Sequence, residues 1–236
     1  MSDLSQVSFV LHRPRSLDNV GAVARVIKNF GLGRLILVDP LSYSFDRARK
    51  LAVGAEDVLE GLFVHRTLAE ALAPTTFSAA TTSRQPARRS LLSPAELGAR
   101  VRARNGPVAI VFGEEKRGLS DEEIEPCHEV CRIPTEPAQP SMNLAQSAAV
   151  VAYALRAAEP AESLPQEPCA TQREVDAAAG EARRALSQAG FLNPQNPDQI
   201  LGELTRTWAR AALTPREAEL WRNAFRKLAD ELARRG

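Results

Sequence analysis

Short apolar runs alternate with amphipathic stretches along the first two-thirds of the chain. The apolar runs predict buried strands at residues 7–11, 34–38, 62–64, 76–81, 108–112 and 130–133. Apolar residues at helical spacing predict the intervening helices at about 19–30, 48–53, 67–72, 120–125 and 144–158. Because strands that alternate with helices usually form a parallel sheet, the pattern indicates an α/β domain.

The last third of the chain has a different pattern. Residues 159–172 contain three prolines and little apolar content, which is typical of a linker. Beyond the linker there is no strand pattern, and helices are predicted at about 173–189, 197–211 and 215–235. The chain therefore divides into an α/β domain at 1–158, a proline-rich linker at 159–172 and a small all-α domain at 173–236.

Composition indicates the class of protein and its compartment. The 236 residues are 44% hydrophobic and 25% charged, which is ordinary for a globular protein. No apolar run is long enough to cross a bilayer, and the N-terminal segment lacks the basic start and apolar middle of a signal peptide. Three cysteines do not suit a disulfide framework. We therefore expect a cytoplasmic protein.

The formal net charge is only +1, but the charge is unevenly distributed. Residues 84–104 contain six arginines, which are opposed only by Glu96. A second basic set lies in the C-terminal helices and comprises Arg206, Arg210, Arg216, Arg222, Arg226 and Lys227. Both sets could contact the phosphates of a nucleic acid, and both could simply be solvated faces. The sequence leaves these two interpretations open.

A first candidate motif opens the helix that follows the first strand. Asp18 or Asn19 can cap this helix, Gly21 lies just inside it, and Arg25 follows about a turn later. Small residues permit the close approach of a backbone or a ligand, and a guanidinium group can hold a phosphate bidentately. An ordinary helix with an exposed arginine would have the same sequence, so the motif alone is not decisive.

Two further motifs follow buried strands, where ligands bind in parallel sheets. Gly113 and Gly118 flank a charged turn after strand 108–112, in which Glu115 could accept hydrogen bonds from an amine or a hydroxyl. After the last predicted strand, a proline-rich loop leads to Ser141, where the next helix is expected to start. Ser141 could cap that helix, and capping does not exclude a functional role.

Together these motifs resemble those of the SPOUT methyltransferases, in the TrmH-like branch. That family has N-x-G-x-x-x-R in a first helix, G-x-E-x-x-G-L after a strand, and I-P followed by S-[LM]-N before the last helix. The matching residues are Asn19, Gly21, Arg25, Gly113, Glu115, Gly118, Leu119, Ile133, Pro134, Ser141, Met142 and Asn143. Residues 190–197 and the arginine-rich helices that follow resemble the C-terminal extension of the TrmJ subfamily.

The resemblance implies a SPOUT fold, in which the C-terminal segment of a parallel sheet forms a deep trefoil knot. In this chain the small all-α domain would follow the knot. The implied cofactor is S-adenosylmethionine, with S-adenosylhomocysteine as its product. The residues expected to bind it are Thr81, Thr82, Ser83, Gly113, Ile133, Ser141 and Met142. The resemblance also implies a homodimer, with Arg25 reaching the active site across or beside the dimer interface.

The implied reaction is 2′-O-methylation of tRNA, on the ribose of cytidine or uridine at position 32 of the anticodon loop. Because a guanidinium stays protonated in proteins, we expect Arg25 to hold the target phosphate and stabilise negative charge on the oxygen. Asn19 and Asn143 would orient that oxygen, and Ser141 and Glu115 would position the ribose or the cofactor. The expected partners are tRNA and a second copy of the chain, and neither DNA nor a membrane.

Two other functions stay open at this stage. One is a 2′-O-methyltransferase that acts on rRNA or on another tRNA site. The other is a non-catalytic RNA-binding protein on the same scaffold, which the intact set of catalytic candidates disfavours. No metal is expected, because Cys127, His128 and Cys131 lack both a fourth ligand and a standard zinc spacing. We expect those three side chains to be structural.

Overall fold

The computed structural model describes residues 4–42, 46–86, 89–159 and 168–235. These residues form two compact units. The first contains the described residues of Met1–Leu72 and Phe77–Pro165, and the second those of Ala73–Thr76 and Gln166–Gly236. Most of the predicted linker, residues 160–167, lies outside the described part of the chain, as does Arg88 of the first basic set.

Six strands form the sheet of the first unit. They are β1 (Val7–His12), β2 (Arg34–Val38), β3 (Phe63–His65), β4 (Phe77–Thr81), β5 (Val108–Phe112) and β6 (Glu129–Cys131). The strand order is β3-β2-β1-β5-β4-β6, and every neighbouring pair is parallel. The α/β class and the parallel sheet expected from the alternating pattern are confirmed, whereas the deep knot stays a prediction.

The helices of the first unit cover both faces of this sheet. They are α1 (Leu17–Phe30), α2 (Asp46–Leu51), α3 (Glu56–Glu60), α4 (Leu68–Leu72), α5 (Pro94–Arg102), α6 (Asp121–Ile124) and α7 (Leu144–Ala157). Side chains of a strand alternate between faces, so Val108, Ile110 and Phe112 of β5 pack in the core with α1, α5 and α7. Ala109 and Val111 pack on the other face with α4 and α6.

The sequence-based prediction missed α3 and α5. Helix α5 begins with a full capping box: the Glu96 amide donates to Ser93 Oγ, and the Ser93 amide donates to the Glu96 carboxylate at 2.7 Å. Pro94 occupies the first turn of the same helix. This start signal is present in the sequence, but the six arginines around it favoured an interpretation based on charge.

Two helix caps differ from the predicted ones. The N-cap of α1 is Ser16, and Asn19 lies inside the first turn. The N-cap of α7 is Asn143, whose Oδ1 accepts hydrogen bonds from the amides of Ala145 at 2.9 Å and Gln146 at 3.3 Å. Both predicted caps were therefore wrong. For α7 the reason is geometric, because the Asn143 side chain reaches the amides of the first turn.

The second unit contains three helices, as the sequence pattern predicted. They are α8 (Gln172–Gln188), α9 (Asp198–Ala211) and α10 (Pro215–Arg235). Small and apolar residues at helical spacing build their shared core, with Ala178 and Ala182 of α8 packed near Leu201 and Trp208 of α9. No helix in the described part of the chain is both long and apolar enough to cross a membrane.

Candidate active site

The three sequence motifs meet at one edge of the sheet. Strands β1, β5, β4 and β6 are neighbours and parallel, so the loops that follow them emerge at the same edge. The loops after β4, β5 and β6, together with the start of α7, line a cavity of about 330 Å³. Binding sites for small molecules commonly have volumes of roughly 300–1,000 Å³. The cavity therefore has the size of a small-molecule site.

Every residue that the sequence suggested for cofactor binding lines this cavity. They are Thr81, Thr82, Ser83, Gly113, Ile133, Ser141 and Met142. The Thr81 hydroxyl donates to the Val111 carbonyl at 2.9 Å, and the Thr82 amide donates to the Cys131 carbonyl at 3.0 Å. These two bonds hold the segment after β4 against both neighbouring strands, and so fix one wall of the cavity.

Ser141 is exposed at the cavity. Its hydroxyl makes no hydrogen bond with any other residue that the structure describes. Since Asn143 supplies the cap of α7, the Ser141 hydroxyl is left available to a ligand. This position agrees with a role in binding, which remains a prediction.

The turn after β5 depends on two glycines. The Gly118 amide donates to the Glu114 carbonyl at 2.8 Å, and Gly118 has φ +68°, in the region that favours glycine. A Cβ atom on Gly113 would lie only 2.2 Å from the Gly118 carbonyl carbon and 2.4 Å from the Leu119 nitrogen. Any side chain at residue 113 would therefore open the turn that forms a second wall of the cavity.

Hydrogen bonds join the catalytic candidates of all three motifs. Glu115 accepts three of them, from the Arg15 amide at 2.9 Å, the Ser16 amide at 3.0 Å and the Asn19 side chain at 2.9 Å. Asn19 in turn accepts a hydrogen bond from the Asn143 side chain at 3.0 Å. The continuous series Glu115–Asn19–Asn143 connects the turn after β5, helix α1 and the start of α7.

The Glu115 carboxylate is held in its charged form by these contacts. Burial raises the pKa of Glu115, but the hydrogen bonds from Asn19 and from the amides of Arg15 and Ser16 outweigh it. Its pKa therefore lies below the ordinary value, and the side chain is an acceptor at neutral pH. Its oxygens bind two amides of the loop after β1 and so hold that loop against the turn after β5.

Arg25 is not part of this hydrogen-bonded series. It lies further along α1, is exposed, and does not line the cavity. It makes no hydrogen bond or ion pair with another described residue. Of the five catalytic candidates, the structure thus brings Asn19, Glu115 and Asn143 into contact, places Ser141 at the cavity, and leaves Arg25 on the surface.

Sequence reasoning missed several charged residues of the site. Arg84, Glu114, Lys116 and Arg117 line the cavity, and Arg15 contacts Glu114. Three of these residues occupy the variable positions between the glycines of the second motif. Charges at variable positions beside a binding turn were the signal that could have identified them.

The first basic set is largely structural. Arg89 and Arg102 donate to backbone carbonyl groups at 2.6 to 3.1 Å. The Arg104 guanidinium lies over the Phe77 ring, 5.1 Å from its centroid. Among the described arginines of this set, Arg84 alone lines the cavity. The cluster therefore serves the fold more than a nucleic-acid surface.

Cys127, His128 and Cys131 are packed in or near the core. Burial raises the pKa of both thiols to about 12, and burial with two nearby guanidinium groups lowers the pKa of His128 to about 4. The neutral His128 ring lies 3.0 Å from the Ser78 hydroxyl. Within the described ranges, no three His, Cys, Asp or Glu side chains are grouped so as to hold a metal ion.

Comparison with known proteins gives three independent similarities. The model of the SpoU rRNA Methylase family matches residues 6–153. The tRNA (cytidine/uridine-2′-O-)-methyltransferase TrmJ of Cronobacter sakazakii is 34% identical over an alignment of 233 positions, which covers 93% of this chain and 94% of that protein. The crystal structure of TrmJ from Z. mobilis ZM4 superposes with a TM-score of 0.82 at 29% identity, covering 94% of this chain and 98% of that one.

A further structural similarity covers less of the chain. A structure that addresses 2-OH methylation of C/U34 on tRNA has a TM-score of 0.51 at 25% identity. It covers 63% of this chain and 93% of its own. The TrmJ similarities, in contrast, extend over nearly the whole chain, including the second unit.

Proposed function

The chain belongs to the SpoU rRNA methylase family, and on that premise we propose that it is an S-adenosylmethionine-dependent tRNA 2′-O-methyltransferase. Its substrate is the ribose of cytidine or uridine at position 32 of the anticodon loop. The observation that carries this proposal is the hydrogen-bonded series Glu115–Asn19–Asn143 beside the cavity. A tRNA substrate also implies that the enzyme works in the cytoplasm.

The cavity suits the cofactor in size and in its lining. Hydroxyl groups of Thr81, Thr82 and Ser83 lie on one side, and the closely packed Gly113 turn leaves backbone groups accessible on another. Ile133 and Met142 add apolar surface for the adenosine part. When bound there, S-adenosylmethionine supplies a methyl group on a sulfonium, which a ribose oxygen can accept.

Arg25 then supplies the charge that the ribose oxygen requires. A 2′-hydroxyl is a very weak acid, so negative charge develops on its oxygen as it reacts, and a protonated guanidinium stabilises that charge. Arg25 is exposed and has no partner among the described residues, so it is available to a phosphate of the substrate. Arg25 does not line the cavity of its own protomer, which supports a homodimer in which Arg25 of one protomer serves the site of the other.

The remaining candidates position the reacting groups. Glu115 fixes the loop after β1, Asn19 and Asn143 connect that loop to α7, and the unpaired Ser141 hydroxyl contacts the ribose or the cofactor. Correct placement of an oxygen against its reaction partner accounts for a large part of enzymatic rate enhancement. These roles concern orientation, and no proton transfer is assigned to them.

The second unit supplies further contacts to tRNA. On α10, Arg216, Arg222 and Lys227 are exposed and form no ion pair with another described residue. Unpaired cations along one helix suit the regularly spaced phosphates of a nucleic acid. We therefore assign residues 173–236 to tRNA binding.

The test is methylation of unmodified tRNA transcripts that carry cytidine or uridine at position 32, with the product mapped by mass spectrometry. The wild-type chain should methylate that ribose, and Arg25→Ala should reduce kcat by about a hundredfold or more. Arg25→Lys, which keeps the charge but not the planar geometry, should recover only part of the loss. Near-normal turnover in both variants would contradict the role of Arg25.

The same experiment separates the alternatives. Methylation at position 34 would favour the activity of the more distant relative. Methylation of rRNA alone would favour the rRNA alternative. Binding of S-adenosylmethionine without transfer to any RNA would favour a non-catalytic protein.

A further inference from the structure

Four charged side chains lie together at the mouth of the cavity. Glu114, Lys116 and Arg117 line it from the turn after β5, and Arg15, in the loop after β1, contacts Glu114. Glu114 is at the centre of the group, because each of its carboxylate oxygens holds one guanidinium. Oε1 accepts from Arg117 Nε at 2.8 Å, and Oε2 accepts from Arg15 Nη1 at 3.4 Å.

Exposure differs sharply within this group. The Glu114 side chain is 11% exposed, whereas Arg117 is 83% and Arg15 39% exposed. Arg117 uses only Nε toward Glu114, and Arg15 uses only Nη1, so each guanidinium keeps further N–H groups for another acceptor. A shielded carboxylate therefore anchors two accessible guanidinium groups.

The group also carries excess positive charge. Hydrogen bonding to Arg117 holds the pKa of Glu114 below its ordinary value, so the carboxylate is charged at neutral pH. Lys116 is exposed and forms no ion pair with a described residue. Three cations thus lie beside two carboxylates, Glu114 and Glu115, and only Glu114 contacts the guanidinium groups, since Glu115 is bound by the loop after β1. Exposed ion pairs contribute little to stability, so folding alone does not account for this arrangement.

We propose that Glu114 positions Arg15 and Arg117 as a two-guanidinium clamp for a phosphodiester of the RNA strand, with Lys116 as an additional cation. Two planar guanidinium groups match the oxygens of a phosphate in both geometry and charge. The clamp rests on the proposed function, because it holds the strand whose ribose enters the site. Glu114 is a positioning residue, and Arg15 and Arg117 are the groups that contact the substrate.

Glu114→Gln distinguishes a role of Glu114 in orienting the guanidinium groups from a role as a counter-ion only. The substitution preserves the shape of the side chain and raises the charge at the mouth by one. If Glu114 were only a counter-ion, the variant would bind RNA more tightly. The clamp instead predicts that kcat/KM falls about tenfold on a tRNA transcript with cytidine at position 32, because the guanidinium groups lose their orientation. Calorimetric affinity for S-adenosylmethionine should stay unchanged.

Arg117→Gln and Arg15→Gln test the contacts themselves. The RNA-binding constant falls as the salt concentration rises, and on logarithmic axes this fall should be less steep by about 1 in each variant. That is the effect of losing one phosphate contact. Arg66→Gln is the matched control: Arg66 is exposed and follows β3, three strands away from β5, and its slope should match the wild type. The high exposure of Arg117 makes a folding defect in Arg117→Gln an implausible explanation.

Three outcomes would overturn the clamp. The first is tighter RNA binding with full activity in Glu114→Gln. The second is an unchanged salt dependence of RNA binding in both arginine variants. The third is weaker S-adenosylmethionine binding with normal RNA binding. The third would assign the cations to the cofactor carboxylate. If the wild type methylates tRNA and the variants behave like it, the clamp alone fails. If the wild type neither binds nor methylates tRNA, the proposed function fails and the clamp fails with it.

Discussion

At the scale of single residues, the Glu115 carboxylate holds the first motif against the second. Its three donors are two backbone amides of the loop after β1 and the side chain of Asn19. Three N–H donors around one carboxylate favour its charged form, which is why its pKa lies below the ordinary value although partial desolvation of the carboxylate raises it. The geometry of the site therefore depends on the ionised state of the Glu115 carboxylate.

Glu115→Gln should lower the activity, and it should make the free energy of unfolding depend less on pH. A group whose pKa is depressed on folding adds stability above its unfolded pKa of about 4.3, and this stability is lost as the pH falls through the lower folded pKa. The variant should therefore be less stable than the wild type at about pH 7, and the difference should shrink at about pH 3. Urea unfolding at both pH values measures this, and an equal difference at both would contradict it.

At the scale of elements, Asn143 serves two helices at once. Its Oδ1 caps α7, and its Nδ2 donates to Asn19 on α1. The first bond satisfies amides that every helix start leaves unpaired, and the second aligns two elements at the cavity. Stability and site geometry thus depend on different atoms of one side chain.

Substitutions at Asn143 should separate these two effects. Asn143→Ala removes the cap and should cost about 1 kcal/mol of unfolding free energy together with most of the activity. Asn143→Asp keeps an oxygen for the cap but cannot donate to Asn19, so it should recover stability and not activity. Thermal unfolding and methylation assays on both variants check this. Full activity in Asn143→Asp would show that the bond to Asn19 is dispensable.

The turn after β5 is the second element whose geometry decides the site. Gly113→Ala should destabilise the protein by roughly 1–3 kcal/mol and weaken S-adenosylmethionine binding, because the added Cβ collides with the backbone of the turn. Gly180→Ala on α8 is the matched control, since no atom lies within 4 Å of its added Cβ. It should stabilise the protein by roughly 0.5–1 kcal/mol. Equal effects in both variants would contradict the tight-turn argument.

At the scale of the whole molecule, the two units have separate cores. The first unit buries apolar residues on both faces of its sheet, and the second buries a smaller cluster among α8, α9 and α10. The cavity is lined entirely by residues of the first unit. Cofactor binding and contacts to tRNA can therefore be separated by experiment.

Removal of residues 168–236 should leave S-adenosylmethionine binding intact and abolish methylation of tRNA. The reason is that the cavity stays complete while the unpaired cations of α10 are lost. Calorimetry and the transcript assay measure the two activities. As a control in the full chain, Arg216→Gln with Arg222→Gln and Lys227→Gln should weaken tRNA binding without unfolding the second unit. Full tRNA turnover by the shortened chain would refute the role of the C-terminal helices.

The fold was more predictable from sequence than the site. A buried strand such as β5 is apolar on both faces. Because burial alone produces this pattern, the strand can be predicted from its own few residues. The five residues of α3 carry little periodicity, and the arginines around α5 favoured an interpretation based on charge, so both helices were missed. The N-caps of α1 and α7 were misassigned, because Ser, Asp and Asn are all good caps and only the backbone geometry decides among them.

The sequence by itself determined the α/β class, the helical C-terminal unit, and seven of the residues that line the cavity, from Thr81 to Met142. These features depend on local periodicity and on motifs within short segments. Only the tertiary structure decided that Glu115, Asn19 and Asn143 form one series, and that Glu114 holds Arg15. The physical reason is that such contacts join residues about a hundred positions apart, which meet only because parallel strands bring their carboxyl ends to one edge of the sheet.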